Sequence, residues 1–367
     1  MTGAVAFLSG FKGLAIVIHG SSGCFYYPAS LIGGDLHGTL LLSEEVVFGG
    51  TDRLCEVVGP LSATHGAVAV VQTCAPAVSG EDPAMLHGAE IIIVDSPGFT
   101  GGFDAGFRKA QETLRPLFNE PCQGVTIDGL NPADPFYRGN LLEAGRTLEI
   151  AGIPVCSAVS SCRFATSMPA GTCGVTVNPD LASGIGQPCG SLLGLQAIPE
   201  TMAVLSDHFP YADPAPVLHE VETASARITA ACDKYLRRYD PPVTAIFGTA
   251  GYAAFASTML STFLDAEIAF IGLREEPVSP FQGHARTLTD LGEISRLIGE
   301  LSPDLVLGSS YERAAAPGSA FVGLTFPQRG RVMIGSRALA GTEGALRFMD
   351  EVVNACMDHC RKNPGLS

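Results

Sequence analysis

Two cysteines stand where chemistry is most readily done. Cys24 closes the stretch L-A-I-V-I-H-G-S-S-G-C at 14–24, and Cys74 closes A-V-A-V-V-Q-T-C at 67–74. Each thiol comes just after a short, continuous apolar run, the pattern of a strand buried on both faces. In an open parallel sheet, ligands gather beyond the carboxyl ends of the strands, so both thiols belong to the functional edge. Gly20 and Gly23 sit between the first run and its cysteine, and without a Cβ they let the backbone approach a bulky object closely. Thiolates in such a place suit an iron–sulfur cluster, which four cysteines normally hold. One chain offers two, and a two-fold pair presents the same patch twice, which makes four. The competing reading is inert burial, because free cysteine is among the most buried residue types.

Other residues carry weaker signals. Cys55, in T-D-R-L-C-E-V-V, is either a third ligand or a packed helix residue. Cys156, Cys162, Cys173 and Cys189 crowd into 155–190; they line a substrate or second metal cavity, or they fill a Gly-rich domain. The segment C-M-D-H-C at 356–360 suggests a metal site or, on a probable C-terminal helix, two cysteines one turn apart on a packing face. His19 is placed to orient the Cys24 loop by hydrogen bonding or to deliver a proton. Arg108, Arg138 and Arg163 are candidates for binding carboxylates, which arginine grips with two parallel hydrogen bonds. Asp35, Glu44 and Glu45 lie near the Cys24 loop as proton donors or as solvated carboxylates. The N-terminus shows no basic segment followed by a long apolar one, so no signal peptide is expected. Eleven cysteines in a chain read as cytoplasmic are then expected as reduced thiols or metal ligands.

The elements that must position these groups follow from the apolar runs. Strands are predicted at 14–18, 67–72, 90–94, 125–127, 153–155, 174–177, 243–247, 268–271, 305–307 and 321–324. Segments of helical length and pattern lie between many of them, at 103–119, 139–151, 253–264 and 288–301, with further helices at 221–239 and 343–360. Strands alternating with helices mean an α/β protein of parallel sheets in two or three doubly wound domains. The segments 119–123 (N-E-P-C-Q) and 210–216 (P-Y-A-D-P-A-P) are the linker candidates.

Composition removes several classes. The 367 residues are 46% hydrophobic, too apolar for disorder. Only 16% are charged, against about 25% in ordinary domains. A net charge of −15 argues against a nucleic-acid partner, which needs a basic footprint. The uncharged stretch 241–264 is long enough to span a bilayer, but its Pro, Gly, Ser and Thr read better as strand, turn and helix, so no membrane is expected. No phosphate loop G-x-x-x-x-G-K-[ST], no dinucleotide G-x-G-x-x-G after a strand, no H-E-x-x-H and no C-x-x-C occurs.

H-G-S-S-G-C at 19–24 resembles the H-G-x-x-G-C motif of the nitrogenase component 1-type oxidoreductase superfamily. E-E-V-V-F-G-G at 44–50 with Leu54 resembles that family's E-x-D-V-V-F-G-G-x-x-x-L. Q-T-C at 72–74 is similar to its second cluster cysteine. S-P-G-F-T-G at 96–101 and I-D-G-L-N at 127–131 resemble its T-P-G-F-x-G and I-x-G-x-N. S-P-D-L-V-L-G-S at 302–309 and G-T-E-G-A at 341–345 resemble its late segments. The seven stretches run in order over nearly the whole chain.

The resemblance implies three Rossmann-like doubly wound domains, over 1–118, 119–220 and 221–367. It implies Cys24 and Cys74 as cluster ligands and a 4Fe-4S cluster shared across a dimer. The partner copy is a second identical chain or a paralogue. Electrons come from an ATP-dependent iron protein, which fits the absent phosphate loop. Only 23 residues precede Cys24, so the third upstream cysteine and the larger eight-iron cluster are not expected. Small size and few cluster cysteines are similar to the homodimeric branch found in methanogens. That branch comprises the catalytic components of nickel-sirohydrochlorin a,c-diamide reductive cyclase, whose substrate is a nickel tetrapyrrole. A cofactor-assembly scaffold and a reductase of another substrate are the alternatives within the superfamily.

Overall fold

The computed structural model describes residues 1–83, 86, 90–277, 281 and 283–362. Its strands form three sheets, and the chain divides into two compact units. The first unit comprises Met1–Ala133, Val155–Gly174 and Leu181–Pro188; the second comprises Asp134–Pro154, Val175–Asp180 and Cys189–Ser367.

The first unit opens with α1 (Thr2–Ser9), β1 (Leu14–His19), α2 (Ser22–Ala29), β2 (Leu36–Gly38), α3 (Ser43–Phe48) and α4 (Thr51–Thr64). It continues through β3 (Ala67–Gln72), α5 (Cys74–Ser79), β4 (Glu90–Asp95), α6 (Phe103–Leu114) and β5 (Phe118–Asp128). Its main sheet has the order β2-β1-β3-β4, all pairs parallel. Every residue of β1 and of β3 is buried, as a strand covered on both faces requires. One face receives α1 and α6, with Phe7, Leu8, Ile16, Ile18, Val71, Phe107 and Leu114 in a single core. The other receives α4 through Leu54 and Val58. α6 buries Phe107, Ala110, Gln111 and Leu114, the three-and-four spacing of one helix face. α1 lies so close to α6 that a Cβ on Gly3 would come within 1.9 Å of the Phe103 carbonyl oxygen.

α7 (Tyr137–Ile150) follows in the second unit, and β6 (Val155–Ala158) returns to the first. β7 (Met168–Thr176) and β8 (Gln187–Ser191) complete a second sheet, ordered β6-β5-β7-β8. Two expectations are corrected here. Residues 119–123 are not a linker but the first half of β5, which runs eleven residues. Nor are all eleven cysteines free: Cys122 and Cys156, on the paired strands β5 and β6, form a disulfide with Cα atoms 6.0 Å apart. That bond removes Cys156 from any set of metal ligands.

The second unit holds α8 (Ala197–His208), α9 (Ala215–Leu236), β9 (Val243–Gly248), α10 (Ala250–Leu264), β10 (Glu267–Leu273) and β11 (Ala285–Thr287). α11 (Leu291–Leu301), β12 (Leu305–Gly308), α12 (Ser310–Ala315), β13 (Ala320–Gly323) and α13 (Gly341–Lys362) close the chain order. Its sheet, β11-β10-β9-β12-β13, is parallel throughout. No described helix is long and apolar enough to cross a membrane. α13 packs along α9 and α7. Glu143, Arg146, Glu220 and Thr342 knit these helices into one network, with Arg146 held by both carboxylates at 2.8 Å. Gly341 is fixed there twice over: its φ is +70°, and a Cβ would meet Glu143 at 2.3 Å.

Candidate metal centre

β1 and β3 are adjacent and parallel, paired from Leu14↔Ala67 to His19↔Gln72. Their last residues are therefore level, and both chains leave the sheet on one edge. Cys24 is the third residue of α2, and Cys74 is the first of α5. Both are half-buried free thiols. The Cys74 sulfur accepts the backbone N–H of Gly98 at 3.0 Å. Gly98 belongs to the S-P-G-F-T-G turn after β4, the next strand along, and a Cβ on it would come within 3.3 Å of that sulfur. An N–H aimed at a cysteine sulfur tunes the potential of any cluster that sulfur holds. Ser21 Oγ lies 3.7 Å from the Cys24 sulfur.

The two cysteine loops are tied to each other. The His19 carbonyl accepts both the N–H (3.1 Å) and the Oγ–H (2.8 Å) of Thr73. A Cβ on Gly20 would stand 2.0 Å from Thr73 Oγ1, so glycine is what permits that approach. Gly23 has open space beside its Cα, with no heavy atom within 4 Å of a Cβ there.

The His19 ring is fully buried, with Nε2 3.1 Å from Glu81 Oε2 and Nδ1 3.2 Å from Thr39 Oγ1. Burial pulls its pKa below the ordinary histidine value, and Glu81 offsets this in part. In the neutral ring, Nε2–H donates to Glu81 and Nδ1 accepts from Thr39, an assignment the hydrogen-bond network makes. Thr39 Oγ1 in turn accepts the N–H of Gly20 at 3.0 Å. Thr51 donates to Glu81 Oε2 at 3.3 Å, and the Gln72 amide donates to the Glu81 carbonyl at 2.9 Å. Glu81, Thr39, Thr73 and Gly98 were not singled out by sequence reasoning. Gly98 lay inside a recognised turn, but nothing local links Glu81 to a histidine 62 positions away.

The surface around the thiols is apolar. Phe48 is 88% exposed, Val78 on α5 is 77% and Phe99 beside Gly98 is 63%. Tyr26 and Tyr27 of α2, Leu42 and Val47 are exposed as well. α2, α5 and the 96–101 turn contain no charged residue. Exposed apolar side chains on the segments that carry the thiols suit a surface that another molecule covers.

The remaining candidates fall elsewhere. Cys55 is exposed on α4. Cys162 is half-buried, and burial pushes its thiol up to about 11. Cys173 in β7 and Cys189 in β8 are buried. Cys356 is buried on α13, its thiol pushed up to about 12 chiefly by desolvation, which fits a packing face. Asp35 is engaged by His37 (2.8 Å) and His65 (2.7 Å), and Glu45 by the Leu42 N–H (2.8 Å) and Arg53 (3.1 Å). Glu44 is exposed at the start of α3. Arg138 and Arg163 are exposed and Arg108 is half-buried. Asp128 of I-D-G-L-N is buried as an anchor, accepting the N–H (2.7 Å) and Oγ–H (2.8 Å) of Ser183.

With this geometry in hand, known proteins can be set beside it. The family model described as nitrogenase component 1 type oxidoreductase matches residues 1–357. Two curated relatives named nitrogenase iron-molybdenum cofactor biosynthesis protein NifE match locally. The one from Clostridium pasteurianum is 28% identical over 133 residues, 31% of this chain and 29% of the relative. The one from Bradyrhizobium diazoefficiens is 34% identical over 130 residues, 30% of this chain and 24% of the relative. The matched stretch thus spans less than a third of either relative. A solved structure titled "Nitrogenase Cp1 at pH 6.5" aligns over 98% of this chain and 92% of that one, with a TM-score of 0.81 at 16% identity. A second, at pH 5, aligns over 98% and 88% with a TM-score of 0.71 at 15% identity. At such identities the likeness is one of fold, and it bears out the α/β architecture of parallel sheets expected from the sequence.

Proposed function

Because the chain belongs to the nitrogenase component 1-type oxidoreductase family, we propose that it is the substrate-reducing component of a two-component system whose other member is an ATP-dependent iron protein. Cys24 and Cys74 of two copies would hold one 4Fe-4S cluster, four thiolates in all. Such a cluster, when bound, supplies one-electron redox chemistry. The donor set fits it: two half-buried thiols on one sheet edge, one already accepting an N–H, with open space beside Gly23. The observation that carries the reading is that these thiols follow adjacent parallel strands, with Tyr26 on the Cys24 helix, Val78 on the Cys74 helix and Phe99 beside Gly98 exposed.

The chain's own residues have definable tasks in this reading. Gly98 N–H donates to the Cys74 sulfur and fixes its position. Glu81, His19, Thr39 and Thr73 fix the two cysteine loops against each other. Phe48, Val78, Phe99 and Tyr26 exclude water at the contact with the second copy. The three domains are those of residues 1–118, 119–220 and 221–367. The substrate we propose is a nickel tetrapyrrole, reductively cyclised in the cytoplasm by a homodimer.

A second reading is a scaffold for assembling a metal cofactor, and the local matches to two NifE proteins favour it. Anaerobic purification with iron counting and electron paramagnetic resonance tests the core of both. The native protein is expected to carry about two iron per chain as a 4Fe-4S signal. Cys24→Ala is expected to lose iron and reductase activity together; a full cluster in that variant would remove Cys24 from the ligand set. Turnover of the tetrapyrrole with the iron protein separates a reductase from a scaffold, which would bind and release a metal cofactor without turnover.

A further inference from the structure

The second unit contains a groove of about 1030 Å³ between α7, α9 and α13. It takes no part in the cysteine chemistry. In a chain of net charge −15, its lining brings six cations together against three carboxylates. Two of the six are internally held: Arg146 by Glu143 and Glu220, Arg347 by Glu351 and the Ala338 carbonyl. The other four, Arg227, Lys234, Arg237 and Arg238, are exposed and have no side-chain hydrogen bond or ion pair among the described residues. Arg227 and Lys234 are seven residues apart on α9 and so share a helix face. Cations in the last turn of a helix are favoured by its dipole, which accounts for Lys234 and Arg237 but not for Arg227, two turns earlier.

A further feature points to a ligand. The floor is apolar: Ile228, Cys232 and Tyr235 are buried along it, and Leu142 is 63% exposed at the lip. Ligand sites combine just these parts, an apolar floor with a few convergent charges, in cavities of roughly 300–1,000 Å³.

We infer that this groove binds a small organic polyanion, an apolar body bearing two or more acidic groups. The body lies on Ile228, Cys232 and Tyr235, and the acidic groups meet the unpaired guanidinium and ammonium groups of α9 and of the turn that follows it. Carboxylates and phosphates share this chemistry, since arginine grips both with paired hydrogen bonds.

The test is titration calorimetry on the full chain, purified anaerobically, at low salt. The probes are mellitate (an aromatic ring carrying six carboxylates), ATP, citrate and inorganic phosphate. Saturable binding of mellitate or ATP is expected, weaker as salt rises, and at least tenfold weaker in Arg227→Gln/Arg238→Gln. Preference for mellitate identifies a carboxylate ligand; preference for ATP identifies a phosphate-bearing one. Leu142→Asp, at the exposed lip, is expected to weaken the same probe. Four outcomes overturn the inference: no saturable binding, binding the double variant leaves unchanged, citrate or phosphate binding as tightly as the aromatic probes, or variants that alter only the sedimenting mass. The last would mean that the groove seats an acidic protein surface. Thermal unfolding of the variants controls for misfolding, and because no readout depends on iron, failure here is distinct from failure of the cluster reading.

Discussion

Gly20→Ala is the sharpest test of how the two cysteine loops are coupled. Its new Cβ would stand 2.0 Å from Thr73 Oγ1, 3.1 Å from Thr73 Cβ and 3.2 Å from Thr73 Cγ2. Thr73 is only 1% exposed, so its side chain cannot swing into solvent. Either it rotates and gives up the 2.8 Å hydrogen bond to the His19 carbonyl, or the two loops separate. Overpacking of this kind costs about 1–3 kcal/mol, and a buried hydroxyl left without a partner costs about 1–3 kcal/mol more. The sum, about 2–6 kcal/mol, is a large part of an ordinary domain's 5–15 kcal/mol. Denaturant unfolding of the iron-free protein measures it, and iron content on reconstitution measures the effect on the site. Thr73→Ala removes Oγ1 and Cγ2 and leaves only the 3.1 Å contact to its Cβ, so Gly20→Ala/Thr73→Ala is expected to be more stable than the two single losses predict, by about 1 kcal/mol or more. If Gly20→Ala unfolds at the parent's denaturant midpoint and takes up full iron, the close approach of the loops has no energetic weight and the account above is wrong.

Phe48→Asp and Val78→Asp place a charge in the apolar surface beside the thiols. Each is expected to cost association of two copies about 3 kcal/mol or more, about a hundredfold in dimer dissociation, with the monomer fold intact; analytical ultracentrifugation showing an unchanged dimer would refute the assignment of that surface. His19 supplies a pH dependence. Burial keeps it neutral in the fold, while in the unfolded chain it takes a proton at its ordinary value near 6.5. The unfolded state then binds more protons between the lowered folded pKa and 6.5, so stability falls as pH drops through that window. His19→Gln, which retains a donor toward Glu81, is expected to flatten this part of the pH–stability curve; an unaltered slope would show that another group is responsible.

Much of the scaffold was legible in single segments. The runs at 14–18, 67–72 and 243–247 are strands because continuous Val, Ile and Ala cover both faces, and β1, β3 and β9 begin where those runs begin. α1 was not legible: T-G-A-V-A-F-L-S has no polar stripe, and Gly3 through Leu8 are all buried, so no helical period appears. The first half of β5 reads as a linker because Asn119, Glu120, Pro121 and Gln123 face solvent, and only pairing within the sheet makes it a strand. The Cys122–Cys156 bond was hidden for the same reason, since neighbouring strands 34 residues apart must first be set side by side.

The order of residues by itself determined where the thiols stand. A buried strand followed by a small-residue turn puts Cys24 and Cys74 at the carboxyl edge of a parallel sheet whatever the rest of the chain does. The tertiary structure alone decided what surrounds them. Glu81 reaches His19, Thr73 closes on Gly20 and Gly98 donates to Cys74 across separations of 62, 53 and 24 residues. The gathering of four unpaired cations around an apolar floor likewise needed α7, α9 and α13 to pack. Hydrophobic period is a local property of the chain, whereas the partner of a buried polar group is set by which strands and helices the fold makes neighbours.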